Sequence, residues 1–238
     1  MSRTRTILGD YQGAVDAIRR AEELAARDDP RWLVLPGRSM IEAFFLWDRW
    51  DEAMEAYERY LPIFRRGEFG RRSGLLGIAS GVAAGIHLLR GERERAERIE
   101  QRQSERTDGF DLLFAQALLG AGEPEMALDR LSPVRTPRFR VAALRAEAQA
   151  ALEDWDALEK TLAWLAEFPQ HERLPRVLAQ VERARGIAGD ELALERGAVR
   201  FRDLGCRFEH ARCLELMGRD DRARKVFEQL GVATSGAR

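Results

Sequence analysis

Gly9-Asp10-Tyr11-Gln12-Gly13-Ala14-Val15 recurs along the chain as Asp48-Arg49-Trp50-Asp51-Glu52-Ala53-Met54 and Gly91-Glu92-Arg93-Glu94-Arg95-Ala96. A fourth copy is Gly122-Glu123-Pro124-Glu125-Met126-Ala127. Looser copies start at Glu153, Gly189 and Gly218. The anchors at 9, 48, 91, 122, 153, 189 and 218 lie 29 to 43 residues apart, about 35 on average. Gly holds the anchor in five of the seven copies, and Ala stands five residues later in five of them. A Gly that ends one helix in the left-handed conformation, followed by an acidic residue that favours the next N-terminus, describes the turn of a helical hairpin. Pro124 suits the first turn of the following helix. The small Ala sits where the two helices approach each other.

Outside the turns the spacing is helical. Trp155, Leu158, Leu162 and Leu165 form one apolar stripe, and Ala223, Val226, Phe227 and Leu230 form another. Segments such as 141–151 supply the preceding helix of each pair, and the prolines at 30, 36, 62, 133, 137, 169 and 175 fall between hairpins or near helix ends. Composition agrees: Ala, Leu, Glu, Lys and Arg make up more than half of the 238 residues, while Val, Ile and Thr total only 24, too few for an extensive sheet. The expected fold is an all-α, right-handed α-α superhelix of about seven hairpins, with residues 1–230 as one repeat domain and 231–238 as a flexible tail.

The Gly-Asp-Tyr-x-x-Ala-Val pattern resembles the tetratricopeptide repeat, a helix pair of about 34 residues, over nearly the whole chain. Ala84, Ala115, Ala146 and Ala211 match the small residue midway along its first helix. The aromatic residue before the turn is poorly kept, and the spacing wanders. Residues 198–212, followed by 218–227, are similar to the C-terminal repeat region of large bacterial signalling proteins, in which an ATPase accompanies nucleotide-cyclase or DNA-binding modules. This resemblance implies a regulatory or partner-binding segment.

A formal charge of −1 provides no global attraction to nucleic acid or an anionic membrane. Two cysteines, Cys206 and Cys213, do not make a disulfide framework, and the N-terminus lacks a secretory apolar run. A cytoplasmic location is expected. Residues 73–89 carry no formal charge and place Gly77, Gly81 and Gly85 four apart, a pattern read as close packing of a buried helix rather than a membrane span. Only eight residues precede Gly9, and the segment after Leu230 cannot cap an apolar stack, so the chain is expected to be a fragment or to self-associate through its ends.

Chemistry is sparse. Neither Lys160 nor Lys225 follows a glycine, so no phosphate loop is present, and Gly67–Gly74 reads as a turn between hairpins. Cys206, His210 and Cys213 share a helical face, but no second pair completes a zinc tetrahedron, and packing is the expected role. His87 and His171 have no evident nucleophile partner. Between residues 61 and 106 ten arginines outnumber six glutamates, which reads as an exposed, alternating charged surface.

The expected function is therefore a non-enzymatic scaffold, without cofactor or metal, that binds a protein or peptide partner on its concave surface. The other reading is a regulatory repeat module of a nucleotide cyclase or an ATP-dependent transcription regulator. In the tetratricopeptide register the groove is lined by Arg38, Glu42, Gln116, Arg140, Glu147, Arg176, Arg183, Phe208 and Arg212. Its arginines suit an acidic segment, since guanidinium binds carboxylate bidentately.

Overall fold

The computed structural model describes residues 5–6, 8–66, 74–102, 107–135 and 138–233. Among these are thirteen α-helices, two short 3-10 turns and no strand. The helices are α1 (Tyr11–Asp28), α2 (Val34–Leu46), α3 (Trp50–Arg66), α4 (Leu75–Leu89), α5 (Arg93–Gln101), α6 (Asp108–Gly120) and α7 (Pro124–Leu131). They continue as α8 (Arg138–Ala151), α9 (Trp155–Ala166), α10 (Pro175–Ile187), α11 (Glu191–Asp203), α12 (Arg207–Leu216) and α13 (Asp220–Leu230).

All seven anchors adopt positive φ, including Asp48 at 58° and Glu153 at 57°, where the sequence has no glycine. The hydrogen bonds explain why. At the third anchor Gly91 N–H donates to the Leu88 carbonyl and Glu92 N–H to the His87 carbonyl, a crossed pair that ends α4 and requires one left-handed residue. The same pair recurs at Asp48–Arg49, Gly122–Glu123, Glu153–Asp154, Gly189–Asp190 and Gly218–Arg219. Asp10, Asp154 and Asp190 then cap the next helix by accepting from the N–H three residues on. The five alanines after the turns, Ala14, Ala53, Ala96, Ala127 and Ala223, are all buried, as are Ala84, Ala115, Ala146 and Ala211.

Six complete hairpins result, α2/α3 to α12/α13, with α1 as the second helix of a further one. Of the eight residues before Gly9, expected to be too few for a full partner helix, 1–4 and 7 lie outside the described residues, as do 67–73 and 234–238. One detail differs from the sequence reading. Trp155 heads the α9 stripe but stands about half exposed at the helix start, leaving Leu158 and Leu165 to carry the burial. Pro62 lies in the last turns of α3, near its end as expected.

The uncharged run forms α4, which packs most closely against α6. No helix among the described residues is long and apolar enough to cross a membrane. A Cβ added to Gly81 would lie 2.8 Å from the Phe110 carbonyl oxygen and 2.9 Å from its Cα. Because that obstacle is backbone, Gly81→Ala should destabilise by about 1–3 kcal/mol in urea unfolding. In an exposed helix the same change would stabilise by about 1 kcal/mol. The sign of the shift is the check.

The array closes on itself. Phe208 N–H, in the first turn of α12, donates to Asp48 Oδ2 at 2.8 Å, and the Phe208 ring meets Trp50 edge-on with centroids 5.1 Å apart. The Cys206 thiol points to the Leu46 carbonyl at 3.3 Å, and Arg212 reaches the Leu119 carbonyl at 2.8 Å. Ala233 N–H bonds to the Leu89 carbonyl at 3.0 Å, so the start of the expected tail is docked. Helix α12 buries Phe208, Glu209, Ala211, Cys213 and Leu214, residues from all around its circumference. It occupies the inner surface that an open superhelix would leave to solvent.

Candidate functional site

The nine residues expected to line a groove lie on the inner helices α2, α6, α8, α10 and α12, and the structure brings them together. Arg183 is fully buried and bonds Glu147 at 2.7 Å and Glu209 at 2.6 Å. Arg176 bonds the other oxygen of Glu209 at 2.8 Å and also caps the C-terminus of α2 through the Leu46 carbonyl at 2.7 Å. Arg212 pairs with Glu147 at 2.8 Å. Gln116 links two parts of the network, donating to Glu209 at 3.0 Å and accepting from Arg140 at 2.8 Å. Arg140 and Arg38 both pair with Glu42, at 3.2 and 2.8 Å. Phe208 is buried beside this network, between Trp50 and Phe227. The helical register therefore placed these side chains on the inward face, but they pair with one another and with α12 rather than facing an open groove.

Sequence reasoning missed the centre of the network. Glu209 takes bonds from Arg176, Arg183, Gln116 and Arg212. Burial alone would raise its pKa, but Arg183, Arg176 and Arg212 outweigh burial and hold it at about 2. Arg183 shifts up despite burial because Glu147 and Glu209 embrace it. Arg140 shifts down: burial outweighs its attraction to Glu42, and the charge of Arg176 adds repulsion. Asp48 is pushed up to about 8 by burial, against the pull of Arg176.

A cavity of about 150 Å³ opens into the network between α2, α8 and α10. Thr6, Arg38, Ser39, Glu42, Arg140, Arg176 and Gln180 supply its polar wall, and Leu46, Phe139, Leu174 and Val177 its apolar wall.

A second, more open site lies between α8 and α9. About 330 Å³ is bounded by Arg135, Arg138, Arg145 and Lys160, with Val134, Val141, Ala142, Thr161 and Trp164 completing the wall. No carboxylate lines this groove among the described residues. Arg145 is anchored at the end of α7 by the Leu131 carbonyl at 2.6 Å; burial and then neighbouring Arg135 lower its pKa. Arg138 lies over Phe139 and Phe168, 5.1 and 4.7 Å from the ring centroids, and Trp164 packs on both rings. The groove thus combines a rigid aromatic wall with an unbalanced cationic rim.

The sulfur-containing residues have structural surroundings. Burial pushes the Cys206 thiol up to about 12 and the Cys213 thiol to about 11, which keeps both protonated and poorly nucleophilic. Cys206 precedes the first residue of α12 and accepts from Arg176 at 3.0 Å, while His210 is half-buried. Among the described residues no group of three His, Cys, Asp or Glu side chains is arranged to hold a metal ion. His87 Nδ1 meets Glu92 across the turn at 2.6 Å, and His171 Nδ1 meets the Phe168 carbonyl at 2.8 Å. Compared with known proteins, the chain matches no family model and no curated protein.

Proposed function

We propose that this chain is a non-catalytic interaction module of the tetratricopeptide type, and that its partner is a protein segment carrying acidic residues. The observation that carries the reading is the groove between α8 and α9, where among the described residues four cations face no lining carboxylate beside the half-buried Trp164 ring. Unbalanced cations at a surface steer acidic partners and select against basic ones. Aromatic and arginine side chains are the residue types that dominate binding energy at protein interfaces. Because α12 fills the inner surface, this lateral groove suits a bound segment better than the concave face does.

Capture from the native cell with the wild-type chain and with the triple variant Arg135→Glu/Arg138→Glu/Lys160→Glu tests the proposal. All three positions are exposed, so the variant should keep the wild-type melting temperature to within a few degrees. A reproducible partner should be retained about tenfold or more less well by the variant, and its binding should weaken with salt. Amide exchange of the complex should slow at 134–145 and 160–164. Equal capture by both proteins, or protection confined to another face, would overturn the assignment.

A further inference from the structure

The cavity between α2, α8 and α10 has features that the network around it does not account for. Gln180 lines it, is completely buried, and has no hydrogen-bond partner at either its amide nitrogen or its amide oxygen. The Nε–H groups of Arg38, Arg140 and Arg176 are also buried without an acceptor. A buried amide with both ends unsatisfied has lost its bonds to water and gained none in return, so such a residue needs a reason to be there.

The charges point to the missing partner. Among the described residues Arg38, Arg140, Arg176, Arg183 and Arg212 face Glu42, Glu147 and Glu209, five cations against three anions, while the buried Asp48 carboxyl beside Arg176 holds its proton up to about pH 8. Two of the five are relieved elsewhere: Arg176 and Arg212 cap the C-terminal carbonyls of α2 and α6, where the helix dipole is negative. Arg38 and Arg140 pair with the single carboxylate of Glu42. The excess positive charge therefore lies at the cavity wall; burial is the main cause of the downward shift of Arg140, and the charge of Arg176 adds to it.

The opposite wall limits what kind of anion fits. Leu46, Phe139, Leu174 and Val177 carry no donors, so beyond Arg38, Arg140, Gln180 and the Thr6 and Ser39 hydroxyls a phosphate or sulfate would leave the oxygens on that side unpaired. A cavity of about 150 Å³ holds a body roughly the size of benzene. An extended peptide is excluded by that volume and by the helix packed across the inner face.

We propose that this cavity is a binding site for a small free carboxylic acid with a short branched apolar body, about six to nine heavy atoms in all. Its carboxylate lies against Arg38 and Arg140, the Gln180 amide N–H donates to it, and the body rests on Phe139, Leu174 and Val177. A 2-hydroxyl group on the acid donates to Gln180 Oε1. This site is separate from the α8–α9 groove, and each stands or falls alone.

Isothermal titration with sodium 3-methylbutanoate and with 2-hydroxy-4-methylpentanoate tests the proposal. Saturable binding at one site is expected, with the hydroxy acid tighter and each acid raising the melting temperature as its concentration rises. The neutral 3-methylbutanamide and inorganic phosphate should each bind at least tenfold more weakly. Val177→Phe fills the cavity with every charge kept and should abolish binding. Gln180→Leu, which removes the unpaired amide without touching an ion pair, should remove the advantage of the hydroxy acid. Should Val177→Phe unfold, Gln180→Leu decides the matter. No saturable binding of either acid, equal binding of acid and amide, or unchanged binding in a folded variant would overturn the site. An acetylated tripeptide ending in Leu should show no binding; if it matched the free acids, the site would belong to chain ends instead.

Discussion

Arg183→Met should lower the free energy of unfolding by about 3–5 kcal/mol, the largest effect expected of a single side chain in this protein. The methionine fills much of the volume but leaves Glu147 and Glu209, both about 1% exposed, without the guanidinium that bridges them. Arg176 remains on Glu209, and Arg212 remains on Glu147 with a longer contact to Glu209. In a domain of this size each kcal/mol is worth about 2–4 °C, so the melting temperature should fall by roughly 6–20 °C. Urea unfolding of the variant measures the loss. Adding Glu147→Gln should restore at least about 1 kcal/mol by removing one stranded charge. A cost below about 1 kcal/mol for Arg183→Met would show that water reaches the network and that the inner face is not closed as described.

The second large effect is one of pH. Asp48 has a folded-state pKa of about 8, raised by burial and by the charge of Glu209 and opposed by Arg176. The folded chain therefore holds a proton that the unfolded chain releases near pH 4. The stability linked to that proton is complete below pH 4 and is lost as pH rises toward 8, at up to about 1.4 kcal/mol per pH unit. Glu209 acts in the opposite sense, since its folded pKa of about 2 lies below the unfolded value. Its contribution is present above about pH 4.5 and declines as pH falls toward 2. Asp48→Asn should flatten the decline between pH 5 and 8 and be the more stable protein at pH 8. Asn tolerates the left-handed backbone at this position and can still accept from Phe208 N–H. Urea midpoints at pH 5, 6, 7 and 8 provide the comparison, and parallel declines in the two proteins would refute the role given to Asp48.

The turns were the most legible feature, because their physics is local. A Gly, an acidic residue and an Ala five positions on mark a crossed hydrogen-bond pair and a cap, and the spacing carried the pattern through Asp48 and Glu153 even where Gly was absent. The register of the inner helices was equally local, so the residues from Arg38 to Arg212 fell on the right face. Their partners were not legible. Whether an inner arginine meets solvent or Glu209 depends on how far the superhelix curves over some 160 residues, which no window of 18 residues reports. The sequence does hold one trace of the closure. Arg207–Leu216 has no clear apolar stripe, and a helix without one is either buried all round or polar all round. The α8–α9 groove was missed for a different reason: Arg135, Arg138 and Arg145 are separated from Lys160 and Trp164 by a whole turn, and only the hairpin brings them together.

An open stack of hairpins contacts only near neighbours, so it gains order piecemeal and any stretch can form first. The bonds from Phe208 to Asp48 and from Cys206 to Leu46 span 160 positions, and that from Arg176 to Tyr11 spans 165. Such distant pairings slow folding and bind the outcome at one end to that at the other. During synthesis the early hairpins emerge with the Leu46 carbonyl and the Asp48 carboxyl still unmatched, and they wait for some 160 further residues before α12 arrives. At about 5–20 residues per second that delay is on the order of 8–30 s. For that interval the nascent chain exposes the surface that α12 will bury, and it is then most open to chaperones and proteases.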